Sequence, residues 1–398
     1  MPGARPKKFR ADEGTQAPPS SPECQVSHPD PQKNSYLSGK TIEPVQIRRG
    51  MSVEELVELY SGTGYNARRL AEACELYERM IKEGATICLT LSGAMTPVGM
   101  GGVIVSLMEA GFIDWMVSTG ANLYHDLHRP FNFPVVQGHF AVDDSELHRA
   151  GVARIYDVFI PEEGALTATD WVIQEALIRR TLPERFSTAD IHHNLGREVA
   201  RNAPHPEKSV LAAAARLDVP IYVPAHADSS IGMNLALKYA LGSPLEPSPS
   251  LDILESCAIV AGSEKNGAVE VGGGTPKNFF MQTQPMLWQF LKKNKGGHDY
   301  FIQLTDARPD TGGLSGATPS EAKSWGKIKD PKKNNVVVYG DATISLPILA
   351  VWVLSRCPPR KPRRLYRAKG ELTEALVRDY LGRSRKGGES RQNKQAGK

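Results

Sequence analysis

A lysine attacks carbonyls or imines only while its amine is neutral, and removal from water is what brings that state within reach near neutral pH. In "SEAKSWGKIKD", residues 320–330, Lys327 stands among Trp325, Gly326 and Ile328, apolar and aromatic surface of the kind that would dry an amine. Lys329, Lys332 and Lys333 look like solvated charges, and by residue type alone Lys327 could be one more of them. Other nucleophiles find less support. "TLSGA" lacks the G-x-S-x-G elbow that exposes a catalytic serine. The histidines, in "HDLH", at His192 and His193, and in "APHP", show neither H-E-x-x-H nor paired Cys and His spacing, so no metal site is expected. His125, His139 and His226 lie near glycine clusters but read first as hydrogen-bonded structural residues.

Several glycine-rich stretches are suited to phosphate or ribose. "LSGAMTPVGMGG" follows an apolar run and opens a helix, so Ser92, Gly93 and Ala94 could leave backbone N–H groups facing an anion. "STGANLYHD" offers Thr119, Gly120 and Ala121 in the same way. "VEVGGGTPKN" has three consecutive glycines, Gly272, Gly273 and Gly274, which suit close approach by a ligand or by a neighbouring subunit. In "VYGDATISLP", Asp341 follows a strand, where its carboxylate could hold a ribose hydroxyl pair or simply cap the next helix. None of these stretches is the G-x-G-x-x-G fingerprint.

The elements that must position these residues are legible as alternating patterns. Short apolar runs bounded by glycine, "ATICLTLSG", "IDWMVSTGA", "VPIYVPAH", "GAVEVGGG", "DYFIQLT" and "NNVVVYGDA", alternate with amphipathic stretches. That alternation predicts βαβ units around a doubly wound, mostly parallel α/β sheet. Ligands in such sheets bind at the carboxyl ends of the strands. The polar and glycine clusters at 92–96, 118–122, 226–230, 272–274, 306–316 and 340–343 all fall there. Upstream, "SVEELVELYSGTGYNARRLAEACELYERMIKEG" opens with a capping-box pattern and predicts two helices broken at Gly62 and Gly64. Residues 1–38 are expected to form a flexible leader, 39–382 a single domain and 383–398 a flexible basic tail.

Composition narrows the classes further. The net charge is only +4, with much of the excess in the two ends, which lack aromatic interleaving, so nucleic acid is not the expected partner. Five scattered cysteines without a C-x-x-C pair argue against a disulfide framework and fit a reducing cytoplasm. The opening residues carry charge and proline where a signal peptide would need an apolar run, and no run of about 18 apolar residues occurs, so a soluble, unsecreted protein is expected.

Taken in order, "GTGYNARRLAEA", "GHFAVDDSELHRAGVARIYDVFIPEE", "VGGGTPKN", "GLSGATPSEAKSWGKI" and "VYGDATISLPILA" resemble the deoxyhypusine synthase family over about three quarters of the chain. The resemblance implies a Rossmann-like NAD-binding fold, a homotetramer with active sites at subunit interfaces, and a catalytic lysine at Lys327 in "SWGKI". It implies that NAD oxidises a polyamine, that an aminobutyl fragment is held as an imine on the lysine, and that the fragment passes to an acceptor amine, a protein lysine or a small amine. Carried over residue by residue, the cofactor positions are Ser92, Gly93, Ala94, Thr119, Gly120, Ala121, Asp228, Gly273, Gly274, Asp341 and Ala342. Trp325 would cover the substrate, Glu321 would face one amine, and Asn278 stands where the family has a histidine. Leu314 and Met233 stand where synthases have carboxylates, which points to a synthase-like branch with an altered amine site, because buried ammonium groups need counter-charges. The alternative is a catalytically silent NAD-binding protein with an interaction role.

Overall fold

Strands form where β-branched and large apolar residues run between glycines. In chain order they are β1 (Thr86–Leu91), β2 (Trp115–Ser118), β3 (Val136–Gln137), β4 (Val152–Ile155), β5 (Val158–Pro161), β6 (Ile221–Tyr222), β7 (Asn266–Val271), β8 (Tyr300–Thr305) and β9 (Asn335–Tyr339). The helices are α1 (Val53–Ser61), α2 (Tyr65–Lys82), α3 (Gly101–Glu109), α4 (Gly120–Asp126), α5 (Asp144–Arg149), α6 (Ala168–Ile178), α7 (Thr188–Asn202), α8 (Val210–Leu217), α9 (Ser230–Ala240), α10 (Pro249–Gly262), α11 (Gly274–Pro285), α12 (Pro319–Ser324), α13 (Ala342–Arg356) and α14 (Leu365–Gln395). The computed structural model describes residues 35–395 except residue 181, and side chains within 36–383. Most of the expected leader therefore lies outside the described residues. Met1–Ile42 and Glu43–Lys398 separate as two units, and the second carries every element named above.

Six strands make one parallel sheet in the order β6-β2-β1-β7-β8-β9. From β1 the chain first builds outward through β2 to β6, then returns to β7 on the other side and builds outward to β9. The order therefore reverses between β1 and β7, the doubly wound arrangement expected from the sequence, and such a reversal is where ligands bind in sheets of this kind. Every residue of β1, β7 and β8 is buried, as befits parallel strands covered on both faces. Ile87, Leu89, Leu91, Val269, Val271, Ile302 and Leu304 belong to the larger core on one face. Cys88, Ala268 and Phe301 belong to the core on the other, with Phe280 of α11. A polar row interrupts the centre of the sheet: Thr90 of β1 pairs in register with Glu270 of β7, which pairs with Gln303 of β8.

The predicted helix pair is present as α1 and α2, with Ser52 and Glu55 closing a reciprocal capping box. A small antiparallel sheet, β3-β5-β4, lies outside the pattern read from the sequence. The backbone of α14 continues to Gln395, past the boundary drawn at 382. Lys369 fastens this helix by donating to Asp190 (3.1 Å) and Glu255 (2.6 Å).

Candidate active site

Lys327 follows α12 in a segment pinned on both sides by backbone hydrogen bonds. Its N–H donates to Ala322 O at 2.9 Å, and its carbonyl accepts from His298 N at 2.9 Å. The side chain is thereby aimed from a fixed base into a cavity of about 830 Å³. The walls come from α10 (Ile253, Cys257), α11 (Lys277, Asn278, Met281), Phe290, the 309–318 loop with Leu314, and α12 with Trp325. Lys327 Nζ donates to Asn278 Oδ1 at 3.2 Å and lies 5.7 Å from the centre of the Trp325 ring. Burial holds its amine below the ordinary lysine range, partly offset by attraction to Glu270. Lys327, Asn278 and Trp325, expected from the sequence to belong to one site, are brought together on this one cavity. Trp325 is 63% exposed, so it forms a rim to the cavity rather than a floor.

Glu321 also lines the cavity, but its carboxylate is already engaged. It accepts from Thr318 N (2.7 Å) and Thr318 Oγ1 (3.1 Å), closing the capping box of α12, and these bonds hold its carboxyl below the usual range. Leu314 lies on the cavity wall, whereas Met233 sits on α9, 64% exposed and away from that wall. Within one chain these two altered positions are not brought together.

Sequence reasoning missed a second amine. Lys277, 5% exposed, donates to Gln303 Oε1 (2.8 Å) and Ala317 O (2.7 Å), with its Nζ 5.4 Å from the Phe301 ring centre. Burial lowers its pKa, and Glu270 and Glu321 oppose that shift. Glu270 itself is fully buried with neither carboxylate oxygen hydrogen-bonded. The signal was present in "NGAVEV": a glutamate inside an otherwise apolar central strand must find a counter-charge or a proton.

The expected cofactor residues line the carboxyl edge of the sheet: Ser92, Gly93 and Ala94 after β1, Thr119, Gly120 and Ala121 after β2, Asp228 after β6, Gly273 and Gly274 after β7, and Asp341 and Ala342 after β9. Five inter-strand spacings of about 4.8 Å make this edge about 24 Å long, enough for an extended dinucleotide. The loops after β1 and β7 meet at the reversal of strand order, where Ser92 Oγ donates to Gly273 O and Thr119 Oγ1 donates to Gly93 O at 2.7 Å. Gly93 has φ +64°, and nothing lies within 4 Å of where a side chain would begin, which leaves an open backbone cradle. Gly273 differs: a Cβ there would stand 2.4 Å from Ser315 Cα, so its own chain accounts for that glycine. Asp341 caps α13, its Oδ1 accepting from Thr343 N (2.7 Å) and Thr343 Oγ1 (2.8 Å). Of the two uses considered for this carboxylate, the cap is the one visible within the chain.

A doubly wound sheet with an amine-bearing cavity beside its ligand edge defines the class, and comparison with known proteins identifies the family. Residues 55–353 match the family model described as deoxyhypusine synthase. A "Deoxyhypusine synthase-like protein" of Nostoc punctiforme is 45% identical over 354 residues, 86% of this chain and 90% of that protein. A "Probable deoxyhypusine synthase 2" of Methanosarcina acetivorans is 41% identical over 319 residues, 80% of this chain and 90% of that protein. Among solved structures, a deoxyhypusine synthase candidate from Entamoeba histolytica shares the fold, with TM-score 0.54 at 17% identity, over 80% of this chain and 99% of that one. This chain belongs to the deoxyhypusine synthase family.

Proposed function

We infer that the protein is an NAD-dependent transferase that moves an aminoalkyl group from an amine donor to an acceptor amine: the oxidised fragment exchanges onto Lys327 as an imine with release of the donor's remaining amine, and the acceptor amine then displaces Lys327. The observation that carries this reading is a half-buried lysine, drawn below its ordinary pKa by burial, anchored at both backbone groups and opening into a large cavity. The open backbone at Gly93 and the row of small residues along the sheet edge fit a dinucleotide, and Ser92, Thr119, Asp228, Gly274 and Asp341 would hold it. When bound, NAD accepts a hydride from the donor amine and returns it at the end of the cycle. Asn278 orients the Lys327 amine through the 3.2 Å hydrogen bond, and the apolar walls keep water from the amine and from the imine formed on it.

The donor pocket differs from one built for a highly charged polyamine. The cavity wall carries two lysines, and its carboxylate, Glu321, is occupied as a helix cap. This favours donors with few charges and an aliphatic chain, with a small amine or a protein lysine as acceptor. Assembly as a homotetramer with shared sites agrees with the exposed apolar rim, where Phe290 and Trp325 are each 63% exposed. The test is to incubate NAD-loaded protein with a panel of diamines and polyamines, follow nicotinamide reduction, then reduce with borohydride. A mass adduct on the peptide containing Lys327 is expected. Nicotinamide reduction with no adduct on Lys327 would refute the imine.

A further inference from the structure

Residues 92–100, between β1 and α3, are neither helix nor strand, so the open backbone at Gly93 must be held in shape from outside. Asn122 of α4, fully buried, does this with both ends of its amide. Its Oδ1 accepts from Met95 N (2.7 Å) and Thr96 N (3.3 Å). Its Nδ2 donates to Leu91 O (3.3 Å), Gly93 O (3.2 Å) and Thr119 Oγ1 (2.9 Å). The main-chain carbonyl of Asn122 also accepts from Thr96 Oγ1 at 2.6 Å. Backbone N–H groups meet the amide oxygen and carbonyls meet the nitrogen, which fixes the orientation of the side chain. Arg129, just beyond α4, braces the far side of the loop by donating to Thr96 O (2.8 Å) and Pro97 O (2.6 Å).

The N–H groups of this loop divide accordingly. Ser92 N donates to Val271 O at 3.0 Å, Met95 N and Thr96 N donate to Asn122, and Pro97 has none. Gly93 N and Ala94 N have no acceptor among the described residues, and Gly93 is exposed. Two successive free N–H groups, the first on a residue with φ +64°, make a concave donor pair of the kind that binds anions. We propose that Asn122 is a positioning residue for phosphate: it fixes the β1 loop so that Gly93 N and Ala94 N stay open at the reversal of strand order and donate to the diphosphate of a dinucleotide. The inference rests on the dinucleotide part of the reading above and not on the imine. Asn122 is buried and acts through the loop rather than on the ligand. Without its amide, Met95 N and Thr96 N lose their acceptor, and the loop recovers hydrogen bonds by turning inward at the expense of the open pair.

The test uses the full-length protein and NAD, with affinity read by titration calorimetry and the loop read by hydrogen–deuterium exchange of the peptide covering residues 92–97. In the unsubstituted protein NAD should slow exchange in that peptide. Asn122→Ala should weaken NAD binding about tenfold and abolish the slowing. Thr96→Val removes the bond from Thr96 Oγ1 to Asn122 O and keeps the Thr96 N–H, so it should weaken NAD about threefold. Val199→Ala, in the core on α7, controls for lost stability and should lower Tm with NAD affinity unchanged. Folded Asn122→Ala that behaves like this control, with a lower Tm and full NAD affinity, overturns the proposal. So does the absence of NAD-induced slowing in residues 92–97 of the unsubstituted protein. Should Asn122→Ala not fold, Thr96→Val decides: weakened NAD binding supports the positioning role, and unchanged binding overturns it. Failure of the transferase reading looks different, because NAD affinity and exchange would respond as stated while no adduct formed on Lys327 with any amine.

Discussion

Asp341 is the residue at which capping and ligand binding can be separated. Its Oδ1 accepts from the backbone and the hydroxyl of Thr343, satisfying an N–H at the start of α13, whose Leu346, Leu349, Trp352 and Val353 are buried in the larger core. Asp341→Ala removes the cap and should cost about 1 kcal/mol. For a domain of this size that is a fall of about 1–3 °C in Tm. Asp341→Asn caps a helix about as well as Asp but carries no charge, so its Tm should stay within about 1 °C of the unsubstituted protein. If the carboxylate also holds a ribose hydroxyl pair, both substitutions should weaken NAD binding about tenfold, since hydrogen bonds to a charged group contribute about 1.5–3 kcal/mol. Differential scanning calorimetry and titration calorimetry with NAD read the two effects independently. A Tm for Asp341→Asn as low as that of Asp341→Ala would refute the capping argument. Unchanged NAD affinity in Asp341→Asn would remove the carboxylate from the cofactor site.

Lys327→Arg should retain NAD binding but lose transfer by on the order of 10³-fold or more, because a guanidinium does not deprotonate and Lys277, tied to Gln303 and Ala317, is not free to replace it. Single-turnover assays would check this, with Lys329→Arg as the neighbouring control. Leu314→Asp places a carboxylate on the cavity wall and should lower KM for a triamine relative to a monoamine, measured as the ratio of kcat/KM values. Stability should also fall as acid is added. His125, His192 and His193 are lowered to about 4, and His128 and His298 to about 3, all chiefly by burial. Their contribution is full above about pH 6.5 and lost as pH falls toward 3–4. Asp126, raised to about 6, Asp252, raised to about 7, Glu270, raised to about 8, and Asp114, also raised by burial, run the other way but are fewer than the five histidines. Thermal melts between pH 7 and pH 4 should show a falling Tm.

The sheet was legible because each central strand is a short apolar run ended by glycine or a small polar residue, and the Lys327 constellation because Trp325 and Ile328 flank it in the chain. Asn278, 49 positions away, entered only through family resemblance, and its bond to Lys327 depends on α11 lying beneath the segment after α12. The antiparallel β3-β5-β4 ribbon was not read, since its strands have two to four residues, are mostly half-buried or exposed, and give no sustained alternation. Glu270 and Lys277 were quoted within motifs yet passed over. Their significance comes from strand register and burial, which place both against Gln303, and no local spacing encodes that. The capping roles of Glu321 and Asp341 were accessible from position alone, as residues at the N-termini of helices that begin just after a loop or strand.

The two halves of the site are joined by a small number of contacts, and this constrains how either can change. The 309–318 loop walls the cavity, and within it Ser315 rests on Gly273 so closely that one added methyl would meet backbone at 2.4 Å. Ser315 Oγ accepts from Gly274 N at 3.0 Å, and Ser315 O accepts from Gln303, which in turn binds Lys277 and Gly272. The glycine turn at the carboxyl edge of the sheet, the cavity wall and the buried lysine therefore share one hydrogen-bonded junction centred on Gln303. A shift of that turn on ligand binding would be passed to Leu314 and Lys277 within two or three bonded contacts, because close-packed groups transmit displacement rather than absorb it. The amine-bearing cavity and the glycine-rich edge of the sheet are therefore joined through Gln303 and Ser315, with Lys277 anchored where they meet.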